Sequence, residues 1–284
     1  MILRDFPAAA HQRQFVQCYR IVHFQFEDGQ TPPIKLYPPK PENCLHFFLT
    51  DPFSLSNEAG VLTPMPRVMF NGQQTKSTTR YSSYELFDVQ VVFQPTAIYR
   101  LTGMPASELT DRHLDGALLF SNNVYTVLQQ LHDAKHYEAL LVVLHKFVDD
   151  LIRNRHKECL LMDDFIQNVN TTYINNIESW AHASCMGLKQ FERLFYQRAG
   201  INPKIYSRIV RFNKVYNYRN RFPSKTWLNL AMEFNYHDYQ HLVRDYKTFT
   251  GCNPNQLHKL EDGSPENVLG LAPEIYKSRV VDIA

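Results

Sequence analysis

Between residues 15 and 96 the apolar positions come in short runs that partly alternate with polar ones: VQCYRIVHFQF, IKLYP, CLHFFLT, RVMFN and YELFDVQVVFQ. Alternation with a period of two puts successive side chains on opposite faces of a strand, and Val, Ile, Phe and Tyr suit that pleated surface. The runs are separated by turn-forming clusters, EDGQTPP, PPKPEN, TDPFSLSNEAG, TPMP and NGQQ. The pattern predicts many short antiparallel strands, closing as a small barrel or a sandwich.

After Pro95 the period changes. Ala106–Leu109 opens a short helix or turn, and Val124, Leu128 and Leu131 recur at helical spacing. Over 137–152, Leu140, Leu141, Leu144, Phe147, Val148 and Leu151 form one stripe. Two uses of that stripe are open: a face packed on the strands, or a seam between two copies of the chain. RNRHKECL at 153–160 is polar and reads as a linker. The 284 residues then divide into 1–155, strands followed by helices; 161–260, all helical; and a tail, 261–284.

An internal repeat carries the strongest signal. FERLFYQRAGINP at 191–203 aligns without a gap on LVRDYKTFTGCNP at 242–254. Arg193 meets Arg244, Phe195 meets Tyr246, Gly200 meets Gly251, and Asn202-Pro203 meets Asn253-Pro254. Phe191 and Phe195, like Leu242 and Tyr246, are four apart and share a helix face, so Arg193 and Arg244 point away from the core. Each Gly fits the left-handed residue that ends a helix; each Asn-Pro fits the cap and first turn of the next. A shorter helix precedes each copy, with Ile177, Trp180 and Ala181 before the first and Trp227, Leu228 and Ala231 before the second. Both tryptophans read as core residues. The turns are SCMG at 184–187 and FNYHD at 234–238. Helix, tight turn, helix with outward polar residues is the helix-turn-helix plan, present twice. From Ile205 to Arg221 there is no Pro or Gly, which predicts a connecting helix of about 25 Å at 1.5 Å per residue.

Charge changes the picture. The whole chain is nearly neutral, with 30 Lys+Arg against 28 Asp+Glu. Residues 185–259, however, hold thirteen Lys+Arg and four acids, a net +9, and the remainder carries −7. A basic helical segment joined to an acidic one suggests a polyanion-binding domain beside a domain with another task.

These stretches bear a resemblance to a known family. WAHASCMGLKQFERLFYQRAGINPKIYSRIVRF at 180–212 and WLNLAMEFNYHDYQHLVRDYKTFTGCNP at 227–254 resemble the AraC/XylS-type DNA-binding domain, over residues 176–258. VVFQPTAIYRLTGMPASELTD at 91–111 is similar to the cupin-like barrel domains of such regulators. The resemblance implies an α+β chain: an N-terminal small antiparallel β-barrel with helices, then an all-α tandem helix-turn-helix domain. It implies a sequence-specific transcriptional regulator that places two recognition helices in successive major grooves of double-stranded DNA. The groove-facing positions fall on Leu188, Lys189, Glu192 and Arg193, and on Tyr239, Gln240, His241 and Arg244. Gly187 stands where a capping Ser is usual, and Asn235 where Gly is usual. Tyr239 is open between stacking on the DNA backbone and packing.

The rival class is a cupin-type small-molecule enzyme with an appended helical domain. His23, His46 and His113 lack the spacing of a cupin metal site, and no G-x-S-x-G, Walker or dinucleotide motif occurs, so neither metal nor cofactor is expected. Five scattered cysteines, no signal-peptide-like start and no apolar run near the ~20 residues of a membrane span lead to an expectation of a cytoplasmic protein with no membrane association. Control is open between a small-molecule effector and homodimerisation through residues 1–155. Aromatic density between Tyr19 and Phe93 predicts a mostly apolar pocket within the strands, with His23, Gln25, His46 and Gln90 as its polar groups.

Overall fold

The computed structural model describes residues 1–27, 29–56, 60–169 and 176–279. Parts of the predicted turns at 28 and 57–59, and the last five residues of the tail, lie outside the described residues. The strands are β1 (Ile2–Pro7), β2 (Val16–Gln25), β3 (Lys35–Tyr37), β4 (Asn43–Phe48), β5 (Ser54–Ser56), β6 (Leu62–Pro64), β7 (Val68–Asn71), β8 (Thr78–Tyr81), β9 (Glu85–Phe93) and β10 (His113–Asp115). The apolar runs became β2, β3, β4, β7 and β9. β1 lies before the first of those runs; it is a half-exposed strand at one edge of its sheet, so only part of its surface needs apolar residues.

All pairings are antiparallel and form two sheets, β1-β2-β9-β4-β7-β10 and β3-β8-β5-β6. Among the described residues no strand of one sheet pairs with a strand of the other, so the sheets are not closed into a barrel. The smaller sheet ends in the three-residue strands β5 and β6.

The larger sheet has two unlike faces. Tyr19, Ile21, Leu45, Phe47, Val68, Phe70, Val89, Val91 and Phe93 pack against helices α1 (Ala97–Thr102), α2 (Ala117–Phe120), α3 (Asn123–His132) and α4 (Tyr137–Arg153). The α4 stripe lies here: Leu140, Leu144, Phe147 and Val148 are buried in the chain's own core, so that stripe is a packing face and not a seam between copies. The opposite face carries Arg20, Cys44, His46, Asp88 and Gln90, all nearly inaccessible. The smaller sheet covers it through Phe53 and Leu55, which meet Phe24, Phe48 and Met69.

The helical part comprises α5 (Leu161–Val169), α6 (Ile177–Ala183), α7 (Leu188–Ala199), α8 (Pro203–Arg221), α9 (Trp227–Glu233), α10 (Tyr239–Thr250), α11 (Pro254–Asp262), α12 (Pro265–Val268) and α13 (Ala272–Arg279). Its core joins both repeats to the connector through Trp180, Phe195, Tyr206, Ile209, Phe212, Leu242 and Tyr246. The tail does not trail away. α13 packs on β1 and α8, and the cavity between the two sheets is closed by Glu266, Leu271, Tyr276 and Arg279.

Candidate nucleic-acid interface

The two helix-turn-helix units are built on one plan. Gly200 (φ +89°) and Gly251 (φ +71°) end α7 and α10 in the left-handed conformation. Asn202 accepts the Ile205 N–H at 2.8 Å to cap α8, and Asn253 exchanges a reciprocal pair of bonds with Gln256 at the start of α11. In the turns, Met186 N–H donates to Ala181 O at 3.0 Å and Tyr236 N–H to Ala231 O at 2.8 Å. Cys185 (φ +54°) and Asn235 (φ +55°) hold the matching left-handed position. The turn before α10 is one residue longer, so the offset is 50 in the first helices and 51 in the second. Trp180 therefore corresponds to buried Leu230, while Trp227 corresponds to Ile177 and is only half-buried, donating its indole N–H to Asn255.

Both second helices keep a free outer side. Leu188, Lys189, Glu192 and Arg193 are exposed on the first half of α7, as are Gln240 and Arg244 on α10. Tyr239 is half-buried against the core, and His241 is half-buried beside α8. Gly187 caps α7 without a side-chain bond, whereas the Asp238 carboxylate accepts the His241 N–H at 2.6 Å at the start of α10.

The far ends of the same helices are held by the N-terminal region. Thr110 Oγ1 donates to Gly200 O at 2.6 Å, and Ser77 N–H donates to Phe249 O at 2.8 Å. The two anchoring loops form one unit, because Asp111 accepts both the N–H and the hydroxyl of Thr75 at 2.6 Å. Within the helical part, Arg198 of α7 forms a buried double bond pattern with Asp163 of α5, and its Nε–Oδ1 distance is 2.8 Å. Several of the basic residues counted from the sequence thus have internal partners. Arg208 is another, at 3.0 and 2.9 Å from Asp245 Oδ1.

Sequence reasoning missed Asp245. It is 1% exposed, and it joins α10 to Arg208 and to Arg211, whose Nη2 is 3.1 Å from Oδ2. The signal was present in the repeat: Leu194 occupies the same position in the first copy, and an acid there breaks the apolar pattern.

The inner cavity fits the expected pocket in part: its lining is more apolar than polar and includes Phe24, Tyr37 and Phe53, but of the four expected polar groups only Gln90 lines it. It measures about 90 Å³ and is lined by Arg20, Lys35, Lys40, Arg80, Asp88 and Gln90 besides Val22, Phe24 and Phe53. Tyr19, Phe47, Phe70 and Phe93 are on the helix-packed face instead. His23 stacks on Phe87 and bonds Tyr137, Gln25 is exposed, and His46 bonds Asp88 at 2.8 Å. The aromatic density served two cores on opposite sides of one sheet, a division that composition does not reveal.

The fold and this surface define a tandem helix-turn-helix DNA-binding protein. Residues 180–259 match the family described as helix-turn-helix domain, and residues 4–115 match a domain family of unknown function, DUF6597. The chain is a DNA-binding transcriptional regulator with an AraC-type helix-turn-helix domain. No curated protein matches it. Among solved structures, an apo variant of ToxT from Vibrio cholerae strain SCE256 is similar at 9% identity, 86% of this chain, 97% of that chain and a TM-score of 0.48. Unsaturated fatty acid bound wild-type ToxT from the same strain is similar at 9% identity, over 84% of this chain and 94% of that chain, with a TM-score of 0.45.

Proposed function

We propose that the first halves of α7 and α10 read base edges in successive major grooves, through Leu188, Lys189, Glu192 and Arg193 and through Tyr239, Gln240, His241 and Arg244. The observation that carries this reading is the shared construction: each helix is anchored at its far end and exposes polar side chains over its first turns. Arg193 and Arg244 can pair bidentately with guanine, Gln240 with adenine, and Glu192 can accept from cytosine N4. α8, 19 residues or about 28 Å long, together with the widths of the units it joins, suits grooves ~34 Å apart. Selection of bound duplexes from random DNA with the whole chain tests it. A defined site is expected, with affinity falling steeply as salt rises; equal binding to selected and random DNA refutes the reading.

We infer that the N-terminal region controls this binding rather than catalysing a reaction. Support comes from the 90 Å³ cavity, whose lining joins both sheets to the tail. Lys40 lies there with burial, helped by Arg279 and Arg20, driving its pKa well below the ordinary lysine value. A pocket for a drug-sized ligand runs to ~300 Å³ or more. An effector entering here is therefore small, or it displaces α13. Control by homodimerisation needs a face other than the α4 stripe, which the chain itself buries.

A further inference from the structure

The buried ions between α8 and α10 have no counterpart among the described residues of the first unit. In the first unit the same position is Leu194, and α7 is seated without a carboxylate there. Buried ion networks are on average no more stabilising than apolar packing of the same volume. In the second unit Asp245 is bound by Arg208 and Arg211, and Arg211 reaches further: its Nη2 lies 3.1 Å from His241 Nε2. A guanidinium has only donors, so Nε2 of His241 must be the acceptor and the ring proton must sit on Nδ1. His241 also lines an open notch of about 590 Å³ with Arg211, Met232, Asn235, Tyr236 and His237, so the ring is reachable from outside.

We propose that Arg211, held by Asp245 together with Arg208, is a positioning residue for DNA recognition: it fixes His241 as the neutral Nδ1–H tautomer, a single donor for an acceptor on a base edge. The inference rests on the reading of α10 as a groove helix. A lone donor can donate to guanine O6 or N7, adenine N7 or thymine O4, and cannot pair with the amino groups of cytosine or adenine. The charged and titratable groups around His241 are Arg211 from α8, Asp238, Arg244 and Asp245 from α10 and its cap, and His237 and Tyr236 from the turn. Their balance favours the neutral ring, since burial and the Arg211 charge lower the His241 pKa below the usual histidine value. Arg211 is itself fixed in place, stacked at 4.0 Å over the Tyr236 ring.

The test uses the whole chain, its selected duplex, and a set of duplexes in which each base pair is replaced in turn, at pH 8 and pH 6. His241→Ala is expected to lose roughly 5- to 100-fold of discrimination at one base pair. Arg211→Met should lose discrimination at that same pair and make it more pH-dependent between 8 and 6 than in the parent. The double variant should lose no more than His241→Ala alone. Arg211→Met losses spread evenly over all pairs, or additive with His241→Ala, would show a merely structural arginine and overturn the inference while leaving the groove reading intact. If His241→Ala alters no base pair, the groove reading fails at this position and the inference with it. If Arg211→Met does not fold, the near-isosteric Asp245→Asn takes its place, with loss at the same base pair and non-additivity expected.

Discussion

Gly200 and Gly251 make the same left-handed turn in different surroundings. A Cβ on Gly200 would sit 2.9 Å from Ala106 O and from Thr110 Oγ1, while one on Gly251 would meet nothing within 4 Å. Gly251→Ala should therefore cost only the left-handed strain, ~1–2 kcal/mol, and Gly200→Ala distinctly more, because the backbone at 106 must move. Urea unfolding measures both; equal losses would mean that the N-terminal region does not press on this end of α7. The repeat identified the two glycines, but only the packed structure separates them. Two histidines shielded from water add a pH dependence. His258, bonded to Asn220 Oδ1 at 2.8 Å, and His113 are each lowered to about 3, first by burial and then by the nearby charge of Arg219 and Arg80 respectively. A depressed histidine pKa means the unfolded chain takes up the proton first, so stability is complete above 6.5 and drains away between 6.5 and about 3. His258→Phe should flatten that part of a pH series of thermal midpoints; an unchanged slope would show that His258 is protonated in the fold.

At the scale of elements, caps and glycines made α7, α8, α10 and α11 legible from local chemistry, down to Asn202, Pro203, Asn253 and Pro254. Partners across elements were not legible. Lys204, at the start of α8, is exposed, as a residue meeting phosphate must be, while Arg208, one turn further on, is bound to Asp245. Arg193→Ala and Arg244→Ala should each relax base preference at one position, and Lys204→Ala should weaken all sequences evenly, as competition binding on the base-replaced duplexes would show. Uniform losses from all three would place the recognition surface elsewhere. α7 also lacks a side-chain cap, and Gly187 has open space around it in an extended conformation. Gly187→Asp should raise the thermal midpoint by capping the helix and complementing its dipole. The added carboxylate should lower DNA affinity several-fold by repelling phosphate. Affinity that rises with stability would argue that this end of α7 does not face DNA.

At the scale of the molecule, ion pairs between distant segments hold the tail across the two parts. Lys35 of β3 binds Glu261 at 2.6 Å and Glu266 at 2.6 Å, Tyr276 donates to Glu261 at 2.6 Å, and Arg279 reaches Asp5 at 3.3 Å. Against the upward push of burial, the charges of Arg20 and Arg279 hold Asp5 at about 2, so it remains ionised through mildly acidic pH. Lys35→Ala leaves Glu261 buried with its cation gone, and should destabilise the whole chain by roughly 3–5 kcal/mol. Because β3 and α11 belong to different parts, the same variant should alter DNA affinity, which calorimetric unfolding and anisotropy would report together. A stability loss with unchanged affinity would separate the tail from control of DNA binding.

Features written in neighbouring residues were decided by the sequence alone: the repeat, the helix ends, the strand-rich first part and the outward side of α7. Each depends on side chains within a turn or two of one another, where spacing and capping chemistry act directly. Tertiary structure decided the rest. Whether two sheets close depends on pairing between strands far apart in the chain, and among the described residues no strand of one sheet pairs with a strand of the other. The fate of the charged residues was likewise non-local. An arginine is legible as basic, but whether it meets phosphate or a buried carboxylate such as Asp245 is set by the helix packed against it.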